Sequence, residues 1–431
     1  MAGVIRASNY RRRIVDTELD ELIAGGAAAI AIDGAKAVGK SATALERVDT
    51  AFLLEEPVTR QLVAADPGRI ATGEPVLVDE WHHLPVTWDV VRRAVDAGAV
   101  PGQFLLTGSA AAGHPGTHSG AGRIVSVRMR PMVLCERGVG TPTVSLAALL
   151  TGTRPAVGGE TDVDVEQYVD EIVRSGFPAV RSMSDRLRRA QLRGYVDRVI
   201  DRDFPDVMGR QVRNPAALRR WLGAYAAATA TVTSYEKIRD AATFGEGDKP
   251  ARSTTQPYRD ILEALYVLEP VPAWLPTNNH ITELASAPKH HLVDPALATS
   301  LLGLGPGALL SGDQGAIPMV RERPFVGALF ESLVSLSVRV FAQAAEARVG
   351  HLRTHRGDHE VDFIVERDDH KVVAVETKLA AVVDDDDVRH LRWLRGELGD
   401  DLLDAIVVTT GPFAYRRRDG IAVVPAALLG M

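Results

Sequence analysis

The sequence predicts an α/β protein. A parallel sheet with helices surrounds a phosphate-binding loop, a helical or winged-helix middle follows, and a second α/β unit closes the chain. Three observations predict this. Short apolar runs alternate with helical stretches early in the chain, and a G-x-x-x-x-G-K-[ST] pattern joins the first run to the first helix. Strand–helix alternation then returns toward the C-terminus.

In order, 28–32, 50–54, 76–78, 104–106 and 124–127 read as short buried strands. Stretches 41–47 and 88–97 between them have helical spacing. A Gly-rich stretch, 110–122, follows the fourth strand as a surface loop. From 163 to 208 the pattern is helical, and 215–230 is an Ala-rich helix. Ser234 suits an N-cap for a helix over 234–242. A polar loop (243–252), a helix (253–266) and a strand-like run (267–274) complete the middle. Two short helices before an apolar hairpin suit a winged helix-turn-helix, and a plain helical lid suits the same pattern. The final unit has a helix at 325–345 and strands near 351–354, 361–366 and 372–378. A helix at 387–398 and a strand at 405–409 end it. The expected domains are 1–205, 206–276 and 277–431.

A chain of 431 residues exceeds one typical domain, and its 46% hydrophobic share is that of a globular protein. The single cysteine, Cys135, excludes a disulfide framework and fits a reducing compartment. The sequence has no unbroken apolar run of the ~20 residues a membrane helix needs, so the expectation is a soluble, cytoplasmic protein without membrane contact. A formal net charge of −7 gives no global electrostatic case for nucleic acid.

Gly34, Ala35, Lys36, Ala37, Val38, Gly39, Lys40 and Ser41 complete the phosphate-loop pattern between a strand and a helix, with Ala42 next. Glycines let backbone N–H groups turn toward phosphates, and the following helix adds a favourable dipole. Lys40 would bridge the β- and γ-phosphates of ATP, and Ser41 would ligate magnesium. The run ending in Asp79 and Glu80 supplies a magnesium-side carboxylate, Asp79, and a base that polarises water, Glu80. The next strand ends in Thr107 and Ser109, either of which suits a γ-phosphate sensor. Arg123 suits an arginine finger completing a neighbour's site, or a solvated arginine at a strand edge.

A second constellation lies near the C-terminus. Asp362 stands near the start of one strand, and Glu376 and Lys378 end the next, where i and i+2 share a face. Glu331 on the preceding helix could add a further carboxylate. Such a set can hold a divalent metal for phosphodiester cleavage, and it fits the restriction-endonuclease-like D…(D/E)-x-K pattern. A hairpin with charges paired on its exposed face fits equally.

Taken together, the motif order resembles prokaryotic AAA-type P-loop ATPases that carry a C-terminal domain of unknown function (the 4143 type) with a nuclease-like fold. The matching stretches include 34–41, 76–84 (VLVDEWHHL), 104–110 (FLLTGSA), 195–204 (YVDRVIDRDF), 290–294 (HHLVD) and 375–378. The resemblance spans nearly the whole chain. It implies an AAA-type core, a helical or winged-helix middle and a restriction-endonuclease-like end. The chain departs from the family at Ala35, Lys36 and Ala37, where Pro-Arg-Gln is frequent, and at His82, where Gln is frequent.

The resulting expectation is magnesium-dependent ATP hydrolysis coupled to a nuclease-like domain acting on DNA. The alternative is an ATP-switched regulatory or protein-interaction module whose nuclease-like domain is silent. Arginine-rich stretches 186–193 and 210–220 motivate the DNA reading. A protein partner and a homo-oligomer are further expectations.

Overall fold

The structure is a computed structural model, and it describes residues 10–71, 73–109, 120–243, 252–275, 287–312 and 324–431. Most of the expected Gly-rich loop (110–119) and most of the polar loop (244–251) lie outside the described residues. The chain forms two compact units, Met1–Met132 with Leu262–Val267, and Val133–Ile261 with Leu268–Met431.

The first unit holds a five-stranded sheet in the order β2-β3-β4-β1-β5. Its strands are β1 (Ala29–Asp33), β2 (Thr50–Leu53), β3 (Val76–Asp79), β4 (Phe104–Gly108) and β5 (Val125–Arg128). Every pairing is parallel. Each expected strand lies within a residue or two of its observed counterpart; for β1, β3 and β4 this is because a strand buried on both faces is written as an unbroken apolar run. β1 and β4 are buried along their whole length. The core includes Ala31, Phe52, Val78, Leu106 and the adjacent rings of Trp81 and Trp88, whose centroids lie 4.5 Å apart. Each large apolar side chain in it contributes about 2 kcal/mol through burial. Helix Pro57–Ala65 had no counterpart in the sequence reading, since only Val63 of it is buried and its apolar stripe is thin.

The strand order positions the chemistry. β4 lies between β1, which leads into the phosphate loop, and β3, which ends in Asp79. In register, Ile32 pairs with Thr107, Asp33 with Gly108, and Asp33 also with Arg128 on β5. From β1 the chain runs to β2 on one side, and from β4 it passes β1 to reach β5 on the other. Ligands of open α/β sheets bind at the carboxyl ends of strands where the winding reverses in this way.

The second unit holds a seven-stranded mixed sheet in the order β7-β12-β13-β11-β10-β9-β8. The segment before its main strands contributes β6 (Val144–Ser145) and β7 (Gly159–Glu160). The main strands are β8 (Arg348–Arg353), β9 (Glu360–Glu366), β10 (Val372–Lys378) and β11 (Leu402–Thr409). β12 (Phe413–Arg416), β13 (Ala422–Pro425) and β14 (Leu429–Gly430) end the chain. β9 and β10 are antiparallel, whereas β10 and β11 are parallel across helix Arg389–Leu398. Helix Phe325–Ala344 is long and apolar enough to cross a membrane by length and composition, but 83% of its apolar window is buried inside the fold. The sequence reading had no candidate span, because Glu331 and Arg339 interrupt the apolar run.

The division differs from the expected boundaries at 205/206 and 276/277. Segment 133–205 belongs with the C-terminal sheet, since β6 pairs with β14, β7 pairs with β12, and the Tyr168 hydroxyl accepts from the Ala427 backbone N–H. These ties join residues roughly 250 to 285 positions apart, which no local pattern announces. The middle helices Pro215–Ala227 and Tyr235–Ala242 also lie in this unit. After helix Arg252–Ala264, single antiparallel bridges join Leu268 to Leu292 and Val271 to Lys289, where a hairpin was expected.

Candidate active site

The loop after β1 is tight for identifiable reasons. Gly39 has φ +107 and Ala37 φ +68, both left-handed, and only glycine adopts that region freely. A Cβ on Gly34 would lie 2.3 Å from the Met129 carbonyl oxygen, so glycine is required there by close backbone approach. Ala35 and Val38 are buried, whereas Lys36 and Ala37 are exposed. Arg13 braces the loop from outside, donating to the carbonyls of Val38 (3.1 Å) and Arg130 (2.9 Å).

Lys40 is buried, and its Nζ donates to the carbonyls of Gly34 (2.8 Å) and Ala35 (3.0 Å). Burial pushes its pKa down to about 8, against the pull of Glu80 and Asp79. The Ser41 hydroxyl donates to Asp79 Oδ1 at 2.6 Å. Thr107 donates to that same oxygen at 2.6 Å and accepts from the Glu80 backbone N–H at 3.0 Å. Ser109 donates to Glu80 Oε2 from both its hydroxyl (2.8 Å) and its backbone N–H (3.2 Å). The sequence left Thr107 and Ser109 as alternatives. The structure engages both, one on each carboxylate.

Glu80 has φ +50, a left-handed conformation that is strained for a residue with a side chain. The turn it makes sends the chain into Trp81–His83, with His82 Nδ1 3.3 Å from Glu80 Oε2. Ser41 at the start of helix Lys40–Leu45 thus meets Thr107 and Asp79 at the tips of the neighbouring strands β4 and β3. An oxygen-only set of hydroxyl and carboxylate suits magnesium, so the residues present fit that ion. Ala42 follows Ser41 in the half-buried start of helix Lys40–Leu45.

Arg123 pairs with Asp96 at the end of helix Val86–Asp96, at 2.6 Å, and is exposed. The arginine beside the loop is Arg128. It stands opposite Asp33 in the β1–β5 register, and its guanidinium lies 3.6 Å from the Tyr266 ring centroid. The sequence reading passed over it because Arg128 sits among other arginines with no motif to mark it.

In the second unit, β9 and β10 bring Asp362 and Glu376 to neighbouring positions, and Asp362 Oδ2 accepts from the Thr377 N–H at 2.8 Å. Both carboxylates are buried. Lys378 Nζ lies 3.8 Å from Glu376 Oε2 and 3.8 Å from Asp387. The sequence missed the centre of this group, which is the fully buried Lys289. Its Nζ contacts Asp362 at 2.9 Å, Glu331 at 3.0 Å and Glu360 at 3.1 Å. Burial opposes the charge on Lys289, but Asp362, Glu331 and Glu360 together hold its pKa well above the ordinary value. Among the described residues, no group of three or more His, Cys, Asp or Glu side chains has metal-holding geometry. In the arginine-rich stretches, Arg188 pairs with Asp185 and Arg219 with Asp197.

Comparison with known proteins gives two family matches. Residues 165–308 match a family described as a domain of unknown function (DUF8612), and residues 326–429 match a domain of unknown function (DUF4143). The expected C-terminal domain of the 4143 type is therefore present. No curated protein matches the chain. Among solved structures it is similar to a Walker-type ATPase of Pyrococcus abyssi, at 16% identity and a TM-score of 0.37, over 70% of this chain and 98% of that one.

Proposed function

We propose that the first unit hydrolyses ATP with magnesium. The observation that carries this reading is the convergence of Ser41 and Thr107 on Asp79 Oδ1, beside a phosphate-loop sequence whose lysine is buried at the loop's base. In this reading Lys40 exchanges the carbonyls of Gly34 and Ala35 for phosphate oxygens, and loop N–H groups take the rest. Ser41 and Asp79 hold magnesium, which when bound neutralises phosphate charge. Glu80 takes the role of base, and the strained turn at its backbone fixes the carboxylate's direction. Ser109 orients Glu80, and Thr107 orients Asp79.

Lys40→Ala should abolish nucleotide binding, whereas Glu80→Gln should keep binding and lose turnover by about a hundredfold or more. The check is ATP hydrolysis beside titration of a fluorescent ATP analogue. Undiminished turnover in both variants would refute the assignment.

For the C-terminal unit, the ATP-switched interaction module is favoured over a nuclease. Lys289 Nζ fills the centre of the Asp362, Glu331 and Glu360 carboxylates, and a fixed ammonium there removes the need for a divalent cation. On this reading, purified protein does not cut DNA with magnesium or manganese. Cleavage that disappears in Asp362→Ala would overturn it.

A further inference from the structure

Asp33 has no part in the ATP reading, yet it ends β1 one residue before the phosphate loop. It is 9% exposed, and its Oδ1 has no hydrogen-bond partner. A buried carboxylate at the base of a loop that binds polyphosphate is an electrostatic conflict, because it repels the ligand the loop attracts. The groups facing it come from three directions. Arg128 and Ser126 approach from β5, Lys40 from the helix after the loop, and Gly108 and Trp81 from the β4 side. Burial pushes the Asp33 pKa up to about 6, and Arg128 opposes that rise more than Lys40 does.

Arg128 is well fixed for this task. It is the β5 partner of Asp33 in register, and its guanidinium stacks on Tyr266 at 3.6 Å. A half-buried cation on an aromatic face is worth about 1 kcal/mol, enough to favour one rotamer. Tyr266 itself is held at φ +59, with its N–H on the Glu263 carbonyl at 2.9 Å, so the platform is a set turn.

We infer that Arg128 is a positioning residue for nucleotide binding. Seated on Tyr266, it cancels the charge of Asp33, so that the loop and Lys40 meet the triphosphate as a net positive cradle. This rests on the ATP reading above. Without Arg128, Asp33 draws Lys40 toward itself and repels the phosphates. Without both, the conflict disappears.

The test is titration of a fluorescent ATP analogue, with steady-state hydrolysis, on the full chain as wild type, Arg128→Met, Arg128→Lys and Asp33→Asn/Arg128→Met. Thermal melts establish that each variant is folded. Arg128→Met should weaken binding by about tenfold, the effect of one uncompensated charge near the site, and raise KM more than it lowers kcat. Arg128→Lys should retain most of the affinity. The double variant should return to within about threefold of wild type, which a side chain needed only for packing would not do. If the wild type binds and Arg128→Met binds equally well, or the double variant stays as weak as the single, the inference is overturned. A wild type that does not bind the analogue overturns the ATP reading itself, and this inference with it.

Discussion

Thr107 donates its hydroxyl to Asp79 at 2.6 Å while its oxygen accepts the Glu80 backbone N–H at 3.0 Å. One side chain on β4 thereby fixes two consecutive acidic residues, Asp79 at the end of β3 and Glu80 in the turn after it. Its position follows from the strand order, since β4 is the direct neighbour of both β1 and β3.

Replacing Thr107 by Val keeps the shape and removes both hydrogen bonds. Glu80 would lose the partner that holds its left-handed backbone, and Asp79 one of its two donors. Turnover should fall by about tenfold to a hundredfold. Ser109→Ala removes only the hydroxyl donor to the Glu80 carboxylate, keeps the backbone N–H donor, and should cost less. Steady-state ATP hydrolysis by both variants checks the order, and a larger loss in Ser109→Ala would reverse these roles.

Gly34→Ala should be disruptive beyond its size. The new methyl would lie 2.3 Å from the Met129 carbonyl oxygen, so backbone must move on one side or the other. The expected cost is about 2 kcal/mol of stability, with weaker nucleotide binding. Gly68→Ala is the control, because its methyl would meet only the Asp66 side chain at 3.5 Å. Urea denaturation of the two variants should separate them clearly.

Lys289→Met leaves Asp362, Glu331 and Glu360 without their shared cation. Uncompensated buried charge of this kind costs roughly 3–5 kcal/mol. The vacated centre should then accept a divalent ion. Manganese is expected to raise the melting temperature of Lys289→Met and leave that of wild type unmoved, in nucleotide-free buffer. An equal response in both would mean that Lys289 does not occupy the cation position.

Acid should weaken the second unit. Burial lowers the pKa of His290 to about 4 and that of His351 to about 4 as well, despite the carbonyls of Thr233 and Ala287. The unfolded chain therefore binds more protons than the folded one below about pH 6.5. Stability is full above that pH and falls as the pH drops toward 4, by at most about 3 kcal/mol for each histidine. Asp33 in the first unit has the opposite sign, since its raised pKa favours the folded state below about pH 6. Hydrogen exchange at pH 7 and pH 5 should show protection lost from helix Pro215–Ala227 and β8, and His290→Gln should flatten that change.

Much of the first unit was legible because its information is local. β1, β3 and β4 appear as apolar runs, and the phosphate loop and the Asp79–Glu80 pair each lie within a few residues of chain. Their common location follows from parallel winding, which puts all carboxyl ends of strands on one side. Strands β7, β12 and β13 went unread because they are only two to four residues long, even though Asp419-Gly420 marks the turn between β12 and β13.

The sequence alone thus located the phosphate-loop motif and the carboxylates that stand beside it, because motif spacing and strand period are properties of neighbouring residues. Only the tertiary structure decided which charges answer them. Lys289 reaches Asp362 across 73 positions of chain, Arg128 rather than Arg123 stands beside Asp33, and segment 133–205 joins the C-terminal sheet. Buried charges need partners wherever packing brings them, and packing joins residues that sequence keeps far apart.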